Sequence, residues 1–171
     1  LLRHELSSPR WKPQVLAISG VTDSYQPIER RLQLTRRCLQ VLAEFRNPVV
    51  IITKNHLVTR DVDVLGELTR YEAVRVFLSV TTLDGSLSRV MEPRASHPTR
   101  RLAAIEALSQ AGVQTGVLVA PVIPGLTDHE LPSILAAAVQ AGAKVAGYVT
   151  LRLPHGVGPL FEQWLQDRGA L

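Results

Sequence analysis

The sequence predicts a parallel α/β fold, and three observations carry that expectation. Five short apolar runs of β character alternate with longer helical runs, and no hairpin signal joins two of them. No linker, low-complexity segment or compositional break divides the 171 residues, which read as one domain. Five strands each followed by a helix give a parallel sheet with right-handed crossovers. Such a sheet is either an open doubly wound sheet or part of a (β/α) barrel, and its functional loops leave the carboxyl ends of its strands.

Residues 15–19 (VLAIS), bounded by Pro13 and Gly20, form the first strand, and residues 20–23 its exit loop. Pro27 starts a long helix over 28–46, with Leu32, Leu39, Leu42 and Phe45 on one stripe. Pro48 ends it, and 48–53 (PVVIIT) is the second strand. Thr59 or Asp61 caps a helix running to about Tyr71, with Val62, Leu65 and Leu68 inward. Residues 74–80 (VRVFLSV) form the third strand, and Asp84 opens a short helix ending near Met91. Pro98 starts a helix with Leu102, Ile105 and Leu108 spaced three apart, stopped by a left-handed Gly112. The fourth strand is 115–120 (TGVLVA), followed by a loop shaped by Pro121 and Pro124-Gly125. Asp128 caps the next helix, with Leu131, Ile134, Leu135 and Ala138 inward and Gly142 at its end. The fifth strand is 145–151 (VAGYVTL), and 158–168 a final helix. The strands are apolar throughout, which implies that both faces of the sheet are covered.

Composition bounds the function. Hydrophobic residues at 46% and charged residues at 20% allow a buried core and exclude wholesale disorder. Apolar runs such as 48–52 and 116–123 are far too short to span a membrane, no basic-then-apolar leader opens the stretch at Leu1, and a cytoplasmic setting is expected. The single cysteine, Cys38, excludes an internal disulfide framework and reads as mid-helix packing. His56, His97, His129 and His155 have no metal-ligand spacing, and GxGxxG, Walker A and GxSxG fingerprints do not occur. The net charge of +4 rests on 16 arginines and 3 lysines, with arginine pairs at 30–31, 36–37 and 100–101. A basic balance suits an anionic partner, nucleic acid included, and suits equally a solvated helix face.

The strand ends hold the candidate chemistry. Gly20, Thr22 and Asp23 follow the first strand, and Thr22 and Asp23 can accept from an ammonium or hydroxyl. Lys54 follows the second and can pair with a carboxylate or phosphate, or with Asp84 as a clip of the fold. Ser79 ends the third, and Glu92-Pro93-Arg94 lies close behind it. Residues 120–125 (APVIPG) form an apolar ledge after the fourth, and Leu151 and Leu153 flank Arg152 after the fifth. Polar groups at three ends and an apolar ledge at another suit an amphipathic small molecule with a charged end and a flat apolar end.

Residues 20–29 (GVTDSYQPIE), 52–55 (ITKN), 79–84 (SVTTLD), 91–94 (MEPR), 120–128 (APVIPGLTD) and 151–154 (LRLP), in this order and spacing, resemble the radical S-adenosylmethionine proteins of the spore photoproduct lyase-related branch. The resemblance spans about residues 11–165 and implies a partial (β/α) barrel, with the five strands as barrel strands two to six. It implies S-adenosylmethionine and a 4Fe–4S cluster as cofactors, and reductive cleavage of the former to a 5′-deoxyadenosyl radical acting on an unknown substrate. The family's CxxxCxxC loop has no counterpart in these residues, so an upstream segment carrying it is expected, and the chain alone is expected to hold neither cofactor and to be inactive. By the same resemblance, Gly20, Thr22 and Asp23 receive the methionyl amino group and Lys54 the methionyl carboxylate. Ser79 contacts the methionyl or ribose part, and Arg94 is a carboxylate clamp or the ion-pair partner of Glu92. Val122, Ile123 and Gly125 lie under adenine, which Leu151 and Leu153 face from the next strand. A missing preceding strand would leave the first strand's edge open to a second copy, as in a homodimer. The reading of a different class is a non-catalytic α/β domain that binds a ligand or nucleic acid.

Overall fold

The computed structural model of the chain describes residues 1–18 and 22–167. Its sheet has five strands, β1 (Leu16–Ile18), β2 (Val49–Thr53), β3 (Val74–Ser79), β4 (Gln114–Val122) and β5 (Val145–Thr150). They pair in the order β1-β2-β3-β4-β5, every neighbouring pair parallel. A sheet that advances in one direction keeps its right-handed crossovers on one face, whereas a doubly wound sheet reverses and covers two. This is the partial (β/α) barrel of the two architectures open to the sequence.

The core lies between sheet and helices, and the apolar periodicity locates most of it. Val49, Ile51, Val74, Val76, Leu78, Val117 and Val119 are buried beneath Leu39, Leu42, Leu65, Leu68, Ile105, Leu108, Ile134 and Ala138. The short helix α1 (Leu2–Leu6) adds Leu6 to this core.

The helix expected over 28–46 is two, α2 (Glu29–Leu32) and α3 (Leu34–Glu44), broken at a left-handed Gln33 with φ 51°. The buried Glu29 carboxylate causes the break by accepting from Leu34 N at 3.0 Å and Thr35 N at 3.1 Å, so that it caps α3 from within the run. Leu32 therefore leaves the buried stripe that Leu39 and Leu42 keep, and Phe45, just past the end of α3, is exposed as well. Cys38 is exposed on α3, not packed as expected.

Neither Thr59 nor Asp61 caps α4 (Val62–Thr69) through its side chain. A 3₁₀ turn over His56–Asp61 precedes it, and Asn55 caps that turn by accepting from Leu57 N at 3.0 Å. Asp84 caps α5 (Gly85–Met91) as expected, through Ser86 N and Leu87 N. Helix α6 (Pro98–Gln110) ends before Gly112 at φ +81°. The fourth strand runs two residues past the expected Ala120 and pairs Val122 with Thr150 after a register shift. Asp128 is not the cap of α7 (Leu131–Gln140); it opens a 3₁₀ turn and accepts from Gly125 N at 3.0 Å. The final helix, α8 (Val157–Gln166), starts one residue before the expected run and ends one residue before Asp167, which follows it as a turn, while Arg168 lies outside the described residues.

Coverage of both sheet faces fails at β5. Five of its six residues are exposed, Tyr148 at 70%, and α8 has no buried residue. No strand pairs with the far side of β5 among the described residues, and α8 brings no buried residue to it. The outer side of β1 is likewise unpaired among the described residues. No helix among them is long and apolar enough to cross a membrane.

Gly116 marks the tightest approach within the sheet. A Cβ there would stand 2.6 Å from the Phe77 ring and 2.8 Å from the Val145 carbonyl oxygen. Phe77 can turn aside but the β5 backbone cannot, so Gly116→Ala is expected to destabilise by about 1–3 kcal/mol through overpacking. Chemical denaturation with an unchanged midpoint would contradict this.

Candidate functional site

The loop after β1 is fastened to the end of β2 by one carboxylate. Asp23 accepts from Tyr25 N at 2.8 Å and Thr53 Oγ1 at 2.7 Å through Oδ1, and from Lys54 N at 2.8 Å through Oδ2. Asp23 thus does more than cap its own turn: it joins two strand ends. Thr22 Oγ1 accepts from Gln26 Nε2 at 2.6 Å and closes the turn.

Beyond β2, the Lys54 ammonium meets Glu92, which immediately follows α5. This corrects the pairing of Lys54 with Asp84, whose carboxylate is occupied at the N-terminus of α5. Glu92 also takes Arg101 Nη2 at 2.5 Å, so it is shared by two cations and is not the partner of Arg94. Arg101 is fully buried and donates further to Ser96 O at 2.6 Å and Ser79 O at 2.9 Å. Thr81 Oγ1 adds a bond to Glu92 at 3.1 Å. Burial alone would push the Glu92 carboxyl up, but the charges and hydrogen bonds of Lys54 and Arg101 outweigh it and hold the group below its ordinary value.

These groups border an open cavity of about 780 Å³ whose wall includes Thr22, Asp23, Lys54, Asn55, Glu92 and Arg94. Arg94 is exposed and has no ion-pair partner among the described residues. Ser79 is not in this wall; it is 3% exposed and donates to Ala120 O at 3.2 Å across the β3–β4 pair. Gly20 lies outside the described residues.

The apolar ledge stands apart, at the ends of β4 and β5. Leu151 N donates to Val122 O at 2.9 Å, Gly125 turns the loop at φ +75°, and Leu153 is half-exposed. Ile123 is buried, and its carbonyl accepts from Leu126, Thr127 and Asp128, so it supports the ledge from beneath. Strand spacing puts the ledge about 10 Å from the Lys54 end of β2, two strands away.

Behind the loop after β1 lies a network that the sequence reading left out. Tyr25 is fully buried and donates from its hydroxyl to Asp61 Oδ2 at 3.1 Å. Asp61, also fully buried, accepts from Arg36 Nη1 at 3.1 Å and Arg60 Nε at 2.8 Å. Burial first, and then the Asp61 charge, raises the Tyr25 hydroxyl far above its ordinary value.

A family profile described as the radical SAM superfamily matches residues 4–138. The chain belongs to the radical SAM superfamily. An uncharacterized protein of Mycobacterium tuberculosis is 35% identical over 167 residues, covering 96% of this chain and 49% of that protein. An uncharacterized protein of Methanocaldococcus jannaschii is 32% identical over 113 residues, covering 66% of this chain and 42% of that protein. The radical SAM chain thus spans about half the length, or less, of the curated relatives it matches. Among solved structures, a spore photoproduct lyase mutant with bound AdoMet and dinucleoside spore photoproduct aligns over 89% of this chain and 45% of its own, with TM-score 0.67 and 18% identity. SuiB of Streptococcus suis bound to S-adenosylmethionine aligns over 91% and 36%, with TM-score 0.57 and 12% identity. At these identities the likeness is one of fold, and it agrees with the radical SAM partial barrel expected from the strand-end motifs.

Proposed function

We propose that this chain is the S-adenosylmethionine-binding part of a radical enzyme, a single partial-barrel unit over residues 1–171. The observation that carries the reading is the meeting of Lys54, Thr22 and Asp23 in one cavity at neighbouring strand ends, with an apolar ledge two strands away.

The residues fit the ligand's chemistry. An ammonium has three donors, and Glu92 engages the Lys54 ammonium without exhausting them, so the methionyl carboxylate can take another. Asp23 already accepts three hydrogen bonds, which leaves it about one acceptor site for the methionyl ammonium. Thr22 Oγ1 keeps its own hydrogen to donate, and Arg94 adds a second cation for the carboxylate. Val122, Gly125, Leu151 and Leu153 form the bed for adenine, with Ile123 beneath. Ser79 acts from below, through the strand pairing that holds the rim, in place of a direct ligand contact.

On reductive cleavage S-adenosylmethionine supplies a 5′-deoxyadenosyl radical. This chain's own part is to hold the two ends of the zwitterion and to fix the adenosyl group across the sheet. The 4Fe–4S cluster that such cleavage uses does not fit the donor set here: the chain has one thiol, Cys38, on the exposed side of α3. The substrate is one for hydrogen abstraction.

Calorimetric titration of the cluster-loaded protein, with the segment that carries CxxxCxxC in place, against S-adenosylmethionine tests the reading. One equivalent should bind, and Lys54→Ala should weaken binding by about 1–3 kcal/mol, the range for a charge-assisted hydrogen bond. Lys54→Arg should restore only part, because a planar fork replaces a compact point charge. If Lys54 serves only to neutralise Glu92, the alanine variant loses melting temperature and keeps its affinity, and the assignment fails.

A further inference from the structure

A carboxylate receives an ammonium well only when its oxygens are held at one angle, and Asp23 is held by three donors. Thr53 Oγ1 and Lys54 N belong to the end of β2 and take their places from the sheet. The third donor, Tyr25 N at 2.8 Å, belongs to the loop that carries Asp23 itself. Fixing that loop falls to one side chain above the others. Of residues 22–28 only Tyr25 is buried, whereas Thr22, Gln26, Pro27 and Ile28 are exposed. Thr35 Oγ1 adds a tie from α3 by donating to Ser24 O at 2.7 Å.

The Tyr25 hydroxyl ends on a fixed point. It donates to Asp61 Oδ2 at 3.1 Å, and Arg60 Nη2 donates to the same oxygen at 2.9 Å. Arg36 Nη1 and Arg60 Nε hold the other oxygen. The Arg60 guanidinium also stands 6.0 Å from the centroid of the Tyr25 ring and donates to Glu29 O at 2.6 Å. A phenyl ring would fill this space and spare the burial of a hydroxyl. What the hydroxyl adds is direction: a hydrogen bond fixes how far and at what angle the ring enters, and hence where the N–H of the same residue points. Removing it leaves Asp61 with both guanidiniums, so no charge is stranded.

We infer that Tyr25 is a positioning residue for S-adenosylmethionine: anchored on Asp61, it aims the N–H that orients the Asp23 carboxylate toward the methionyl ammonium. The inference rests on the cofactor reading of the cavity, whose wall Tyr25 backs. The hydroxyl faces Asp61 and makes no ligand contact of its own; it acts through Asp23. The path is short. It runs from Asp61 Oδ2 to the Tyr25 hydroxyl, through the covalent frame of Tyr25 to its N–H, and on to Asp23 Oδ1. Asp61, Arg36 and Arg60 thus serve the ligand from behind the loop, as supports of a support.

Tyr25→Phe, Asp23→Asn and the double variant, made in the cluster-loaded protein with the CxxxCxxC segment in place, form a cycle read by calorimetric titration with S-adenosylmethionine. Tyr25→Phe should weaken binding roughly three- to tenfold, the reach of one hydrogen bond. In the Asp23→Asn background the same change should shift affinity by less than about twofold, because the group through which Tyr25 acts is already altered. A packing role alone would lower the melting temperature and add in full in both backgrounds. Amide exchange in the ligand-free protein gives a second readout that needs no cofactor. Tyr25→Phe should speed exchange at Tyr25 and Lys54, the two amides held by Asp23, roughly three- to tenfold and leave α7 unchanged. Unchanged affinity in Tyr25→Phe, full additivity with Asp23→Asn, or unchanged exchange at both amides overturns the inference. If Lys54→Ala and Asp23→Asn also leave affinity intact, the cofactor reading fails with it; if they weaken binding while Tyr25→Phe does not, only the role of Tyr25 fails.

Discussion

Arg101→Met is expected to destabilise the chain by about 3–5 kcal/mol, the range for removing one partner of a buried ion pair. The guanidinium is fully buried, and its loss strips bonds from Glu92, Ser79 O, Ser96 O and Ser88 Oγ at once. Methionine fills much of the volume, so the loss reports the charge network and not a cavity. Urea unfolding followed by circular dichroism measures it, and a change under about 1 kcal/mol would show that the network is dispensable. The same network fixes an acid response. The folded-state value of Glu92 is below its ordinary one, so its contribution is full at neutral pH and is lost as pH falls through the depressed value. Glu92→Gln should therefore be less stable than wild type at neutral pH and lose less on acidification. Parallel losses in both proteins would mean that another carboxylate sets the acid limb.

Asp61→Ala is expected to cost about 3 kcal/mol or more for the same reason seen from the anion's side. Asp61 is fully buried, and its removal leaves the Tyr25 hydroxyl and two guanidiniums facing the gap. Arg36 keeps Asp63 and Arg60 keeps the Glu29 carbonyl, so the damage should centre on Tyr25 and the loop from Thr22 to Pro27. Faster amide exchange in that loop, with little change at α7, would locate the effect. Uniform acceleration over the whole chain would instead mean that Asp61 supports the core in general.

The strands were legible in apolar periodicity and their parallel sense in the absence of hairpin signals, whereas alternation alone left a doubly wound sheet open and the one-way order followed from the strand-end motifs. The lysine, the aspartate and the carboxyl-terminal strand ends were legible because a parallel sheet confines polar groups to such places. Side-chain pairing was not. Nothing in the spacing of Lys54, Asp84 and Glu92 says which carboxylate the ammonium meets; that follows from α5 delivering Glu92 back to the rim. The break at Gln33 was hidden because a glutamate capping a helix from five residues upstream leaves no short motif. Arg101 did leave a trace: it shares the stripe of Ala104, Ile105 and Leu108, and a charge on a buried stripe calls for a buried partner. Asp61 left none, since an aspartate ahead of a helical run reads as a cap.

The one-way strand order has a consequence for how the chain acquires its structure. Each strand pairs with the one made just before it, and partners such as Val49 with Val74, or Arg75 with Gln114, are separated by one crossover and no more. The entropy of closing such loops grows only slowly with their length. No strand has to wait for a distant segment to emerge, as the central strand of a doubly wound sheet does. A nascent chain leaving the ribosome amino end first can therefore add strands in the order of translation, β2 receiving β3 and β3 receiving β4, with each new edge the template for the next.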